Sequence, residues 1–527
     1  MRPAVMSCAV LALALAAEPA SAQSKVDLSA LKTRPERTEY RETSRYDDVI
    51  AFLEALDRES PLIHLTTFGY TFEGRALPLA VVGRVKDASP EAILASGKTR
   101  VYIQGDIHAG EVEGKEATQV LLREIAQGQH RAWLDSLVLL VGPIFNADGN
   151  ERITLTNRGG QHGPIGGMGQ RANAQGFDLN RDHMKLESPE ARSLALLFRR
   201  YDPHVALDLH TTNGSRHAYY LTYAPPLHPN TDAAIDGLLR RDWLPAMTRA
   251  VKEKYGWDYY YYGNLGFGSE ERAWYTYDHR PRFNTQYVGI RNRLGVLGET
   301  YSYATFEDRI KGSGRFVTEL LNWAAPHAAD IRRVTAEADA RPLVGQRLAL
   351  RAKLKRSDEK VEILMGETVT ERNPYTGRNM YRRVDVKKPE LMYEYGTFEA
   401  TETERVPGAY YIPAKLEAAI ERLEAHGIRL SRLAEDEPAE LEQFRIDKNT
   451  TEPRAFQNHQ ERTVEGAYEP IDQTLPAGTV VVSMDQPLAR LAFLLLEPRS
   501  DDGLLDWNVL DDVVKDAKYY PILRSRR

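Results

Sequence analysis

The chain has 527 residues, too many for one ordinary hydrophobic core, so its length predicts two or three domains. Its 69 Lys and Arg against 75 Asp and Glu leave a formal charge of −6, which provides no basic excess for nucleic acid or for an anionic membrane surface. A hydrophobic fraction of 42% with interspersed charge describes a soluble, globular chain without internal repeats.

Residues 1–22 read as an export signal: Arg2 near the start, an apolar stretch over 4–17, then Ala20-Ser21-Ala22 as a small-residue cleavage site. That stretch is shorter than the ~20 residues a bilayer-spanning helix needs, so no integral membrane segment is expected after the signal is removed. The single cysteine, Cys8, lies inside it. The mature chain would therefore contain neither thiol nor disulfide, as fits a secreted or periplasmic bacterial protein held together by packing alone.

A polar leader over 23–44 precedes the first predicted helix, 46–56, where Val49, Ile50, Leu53 and Leu56 recur at helical spacing. Residues 66–71 and 75–82 alternate about Glu73-Gly74 as a hairpin. Then follow a buried strand at 100–103, a helix at 113–126, and an apolar strand at 137–144 running into Asn146-Ala147-Asp148-Gly149. A Gly-rich loop over 159–176 leads to a helix begun by Ser188-Pro189-Glu190. In the strand 205–209, period-two alternation sets Ala206, Asp208 and His210 on one face and Val205, Leu207 and Leu209 on the other.

Six of the eight residues over 255–262 are aromatic, a strand with one buried face or a wall lining a substrate. A strand at 294–297 and helices over 306–338 complete an α/β domain, 45–340, with a mixed, largely parallel sheet flanked by helices. From 341 to 527 the pattern changes to a β-rich domain with short strands such as 479–483 and 488–496. It holds one helix, 414–426, stopped by Gly427.

Four fragments carry chemistry: His108-Ala109-Gly110-Glu111, Asp178-Leu179-Asn180-Arg181, Asp208-Leu209-His210 and Gly298-Glu299. A spacing of three brings His108 and Glu111 to one side of a single turn, where both reach one ion at about 2.0–2.2 Å. With His210 they make two imidazoles and one carboxylate, a set that leaves a fourth zinc position for water and so marks a catalytic site. His204 competes as a ligand but lies at the opposite end of its strand. HExxH, Gly-x-Ser-x-Gly and P-loop patterns are absent.

In this order, over 46–323, the fragments resemble the zinc carboxypeptidase (carboxypeptidase A-like) family, whose members remove C-terminal residues from peptides. The resemblance implies one Zn²⁺ per chain on His108, Glu111 and His210, with Asp178 accepting from the second ring nitrogen of the first histidine. It implies that Asn180 and Arg181 hold the terminal carboxylate of a peptide partner, and that Glu299 moves protons between water and the leaving amine. Arg171, in preference to Arg158, matches the arginine that polarises the scissile carbonyl. Tyr277, with Tyr275 competing, matches the substrate-binding tyrosine.

Two departures limit what carries over: Ala-Gly stands between the first two ligands, and residues 216–270 do not align, so no side-chain preference is implied. The alternatives are a zinc N-acyl amino acid deacylase or peptidoglycan-peptide hydrolase, and an inactive relative retained as a binding module.

Overall fold

A computed structural model describes residues 27–212, 214–266 and 271–526; the expected export signal lies outside them. The first predicted helix, α1 (Tyr46–Glu59), and the hairpin β1 (Ile63–Tyr70) and β2 (Ala76–Val82) form where the sequence periodicity sets them. After them come β3 (Thr99–Gly105), α2 (Glu113–Ala126), β4 (Leu137–Gly142), α3 (Pro189–Tyr201), β5 (Val205–Thr211), β6 (Leu221–Ala224) and β7 (Tyr259–Tyr261). Further along this part lie α4 (Asn284–Ile290), β8 (Leu294–Thr300), α5 (Phe306–Ala324) and α6 (Ala328–Asp339), with a helix at Leu244–Tyr255 and shorter elements before them.

The strands form one eight-stranded mixed sheet in the order β1-β2-β4-β3-β5-β8-β6-β7, in which β4, β3, β5 and β8 run parallel. Alternation along the central strands gives the sheet two apolar faces. Val101, Ile103, Val205, Leu207 and Leu209 pack with Leu121, Ile125, Phe316 and Leu320, while Tyr102 and Ala206 pack on the other side with Leu194 and Phe198. Leu207 is 1% exposed, and cutting it to alanine would cost about 2–5 kcal/mol through lost transfer energy and the cavity left behind.

Local chemistry sets the element ends. Ser188 caps α3 by accepting from the Ala191 amide at 3.1 Å, with Pro189 in the first turn, where its missing N–H is no loss. The helical run expected over 306–338 is two helices, parted near Pro326, because proline cannot donate to the preceding turn and clashes with it. The leader is not loose: Thr43 and Ser44 are buried and give their hydroxyls to Glu116 of α2, at 2.7 Å each. Among the aromatic residues 255–262 only Tyr259–Tyr261 is a strand.

Beyond residue 340 the chain is β-rich, as expected. It contributes the hairpin β9 (Val361–Arg372) and β10 (Asn379–Met392), helix α7 (Glu417–His426), and a six-stranded sheet that includes β11 (Glu437–Thr451) and β12 (Arg462–Leu475). Gly427 ends α7 at φ +86°, a left-handed conformation that glycine adopts without a Cβ clash.

One expectation fails. The segment 488–496 is not a strand but helix α8 (Ala489–Leu496), all eight residues of which are buried. An apolar run with no wet face shows neither period, so its sequence does not distinguish the two states. The core cluster of this region also takes in residues of the first: Met184, Tyr287 and Ile290 pack with Ile420, Leu423, Leu491 and Trp507.

Candidate metal and catalytic site

The parallel strands β3, β5 and β8 end side by side, and the expected fragments meet there. His108 and Glu111 occupy one turn just past β3, closed by the Glu111 amide donating to the His108 carbonyl at 2.8 Å. His210 belongs to β5, and Glu299 is its lateral neighbour on β8. One donor atom from each of His108, Glu111 and His210 lies within 4.8 Å of the others, and all three residues are buried.

Both imidazoles are oriented in the same way. Nε2 of His108 donates to Oδ1 of Asp178 at 2.9 Å, and Nε2 of His210 donates to Oδ2 of Asp208, also at 2.9 Å. Each Nδ1 therefore faces Glu111, 3.2 Å from Oε1 for His108 and 2.8 Å from Oε2 for His210. A carboxylate behind each ring fixes its tautomer and raises its basicity, the arrangement a histidine-ligated cation requires.

The electrostatics ask for positive charge at the centre. Burial works against the Glu111 carboxylate, but His108, Arg158 and His210 hold its pKa well below the ordinary range. Burial likewise disfavours charge on His210, yet Asp208 and Glu111 push its pKa well above that of a free imidazole. The Nδ1 of His108 already faces a cationic donor, Nη1 of Arg171, at 3.2 Å. Two imidazole nitrogens and a carboxylate oxygen fit zinc in both ligand type and number.

Glu299 lines the same cavity, of about 260 Å³. Burial, reinforced by the negative charge of Glu111, pushes its carboxyl up to about 8 in the metal-free protein. Arg171 also lines this cavity; its Nε and Nη2 hold Oδ2 of Asp178 at 2.9 and 2.8 Å, and its side chain stays 47% exposed.

Arg158, a substrate-binding candidate from its spacing, is engaged elsewhere. Its Nη1 donates to Oε1 of Glu111 at 2.9 Å, its Nη2 to the Thr211 carbonyl at 2.9 Å, and its Nε to Gln161 at 2.8 Å. A guanidinium spent on a ligand and on backbone is a brace and not a wall of the cavity. This brace also accounts for Gly110 between the ligands: a Cβ there would stand 2.8 Å from Cδ of Arg158.

Asn180 and Arg181 follow Asp178 on a single helical turn and line the cavity. Oδ1 of Asn180 accepts from the Asn284 amide at 2.7 Å, which turns its amide nitrogen toward His210. Arg181 donates to the Asn180 carbonyl at 2.7 Å and lies over the Phe283 ring at 3.7 Å. Tyr277 lines the cavity with Tyr262, whereas Tyr275 lies outside it, paired on a short strand with residues 264 and 394–395 and stacked on Tyr395 at 4.5 Å. The aromatic stretch thus serves both expected ends, Tyr259 in the core and Tyr262 on the cavity wall. His204 is remote, its Nδ1 accepting from the Arg100 amide at 3.1 Å.

Asp208 as the partner of His210 was not assigned from sequence, although an Asp-x-His pair on one strand face was its signal. Phe283 and Asn284 gave no such signal, because their contacts cross about a hundred residues of chain.

Residues 49–225 match the family model described as zinc carboxypeptidase. Carboxypeptidase 2 of Trichophyton tonsurans is 24% identical over 473 residues, covering 86% of this chain and 81% of that protein. A protein of Saccharomyces cerevisiae named an inactive metallocarboxypeptidase is 32% identical over 139 residues, 24% of this chain and 30% of its own. Among solved structures, a metallo-carboxypeptidase from Burkholderia cenocepacia has a TM-score of 0.41 at 18% identity, covering 55% of this chain and 71% of that one.

Proposed function

We propose that this chain, which belongs to the zinc carboxypeptidase family through residues 49–225, is an active peptidase that hydrolyses the C-terminal peptide bond of peptides. The observation that carries the reading is the pairing of a donor triad, His108, Glu111 and His210, with a half-buried glutamate and an Asn-Arg pair in a single cavity. His108, Glu111 and His210 would hold one zinc ion. When bound, zinc supplies Lewis-acid activation of water near neutral pH.

Residues of the chain would do the rest. Arg181, braced on Phe283 and on the Asn180 carbonyl, presents a guanidinium to the substrate's terminal carboxylate, aided by the Asn180 amide. Glu299 takes a proton and returns it to the leaving amine. Arg171 extends toward the centre on its Asp178 anchor and stabilises the oxygen on which negative charge develops. Tyr277 closes the cavity beside Tyr262, their rings 5.4 Å apart. Arg158 fixes Glu111.

One relative is named inactive, but here every metal-binding and proton-transfer position is occupied by a competent residue, which favours catalysis over a binding role. Among the described residues no helix is long and apolar enough to cross a membrane. The signal-like residues 1–22 support export of the protein. Mass analysis of products from an unmodified peptide tests the activity: stepwise loss of single C-terminal residues is expected, and internal fragments or release of only an acyl group would contradict it.

A further inference from the structure

The hairpin β11–β12 of the C-terminal region reaches the catalytic part of the chain with its tip, residues 452–461. Phe456 and His459 pair across the turn, and Gln457 and Asn458 between them have φ of +50° and +67°, as in the tight turns that match strand twist. Over 451–460 every residue is exposed except Gln457 and His459. Those two make the contacts: Oε1 of Gln457 accepts from the Asp178 amide at 2.9 Å, and Nε2 of His459 lies 2.8 Å from Oε1 of Glu187. Glu461, at the base of the tip, pairs with Arg282, whose guanidinium also lies 5.5 Å from the Phe456 ring.

We propose that Gln457 is a positioning residue for substrate binding, through which the C-terminal region fixes the carboxylate-binding wall of the cavity. The inference rests on the carboxypeptidase reading above. Asp178 is gripped from two sides, its carboxylate by His108 and Arg171 and its amide by Gln457. The turn that begins at Asp178 carries Asn180 and Arg181, and Arg181 rests on Phe283, next to the Arg282 that the tip also holds. One tip therefore sets the spacing between the two segments that form this wall. A hairpin serving stability alone would place apolar side chains here; this one sets a half-buried amide against the start of the turn that presents the guanidinium and a half-buried imidazole against Glu187 beyond it.

The test combines kinetics with hydrogen exchange. In Gln457→Ala, KM for a peptide with a free C-terminus should rise about three- to tenfold, the worth of one hydrogen bond, with kcat within about twofold and zinc content unchanged. Cleavage of the C-terminal amide should not change. Amides of 177–187 should exchange faster than in wild type, and Gln457→Glu, which keeps an acceptor of the same length, should restore slow exchange. Unchanged exchange, or a lower Tm with KM unmoved, would overturn the proposal. If wild type does not prefer the free acid, the carboxypeptidase reading fails on that arm, and exchange still decides whether Gln457 holds the turn.

Discussion

Asp208 and His210 stand two residues apart on the same face of β5, and the carboxylate of the first accepts from Nε2 of the second at 2.9 Å. The strand period thus builds a candidate metal ligand and its orienting partner from adjacent positions on one face. Asp208→Asn keeps the shape but weakens this grip, so zinc affinity should fall about 10- to 100-fold. His210→Ala should lose stoichiometric zinc. Competition with a chelator and elemental analysis check both, and full zinc retention by His210→Ala would remove it from the ligand set.

Glu299 neighbours His210 across the strand pair and lines the same cavity, but is not one of the three donor residues. Glu299→Gln should keep zinc while kcat falls on the order of 10²-fold or more. Near-normal turnover in the zinc-loaded variant would exclude Glu299 from the chemistry.

The same residue predicts a pH effect on the metal-free protein. Its folded pKa of about 8 lies above the unfolded value, because burial and the charge of Glu111 favour the neutral acid. Between roughly pH 4.3 and that value the folded state binds more protons than the unfolded one, so this contribution is full at low pH and is lost as pH rises. The Tm of metal-free Glu299→Gln should therefore gain on wild type as pH increases through this window. A difference independent of pH would contradict the assignment.

Arg171 and Arg158 should separate cleanly. Arg171→Ala should lower kcat more than it raises KM, by about 3–4 kcal/mol in transition-state stabilisation. Arg158→Ala leaves the buried Glu111 carboxylate without a partner 2.9 Å away and should lower zinc affinity and Tm. If Arg158→Ala shows the kcat pattern with zinc retained, and Arg171→Ala is silent, the two roles are exchanged.

What the sequence revealed depended on periodicity and on short spacing. Strand β3 was legible as a short apolar run and β5 from its period-two alternation, and His108 with Glu111 because a spacing of three closes one turn. Helix α8 was not legible, since it is buried on every side. The engagement of Arg158 was not legible, because the fate of an arginine is set by its partner, here Glu111, 47 residues away. Gln457 was invisible: its contact spans 279 residues and its neighbours form an ordinary polar turn.

The central claim, that Asn180 and Arg181 recognise a terminal carboxylate beside the His108-Glu111-His210 centre, is tested most directly by kcat/KM for one peptide presented as the free acid and as the C-terminal amide. The amide leaves a guanidinium without its charged partner, so the acid should be favoured by about 10²-fold or more. Arg181→Ala should erase most of that ratio by slowing the acid while hardly changing the amide. Equal cleavage of both peptides by the wild-type protein would contradict the account and leave a hydrolase of another kind on the same metal site.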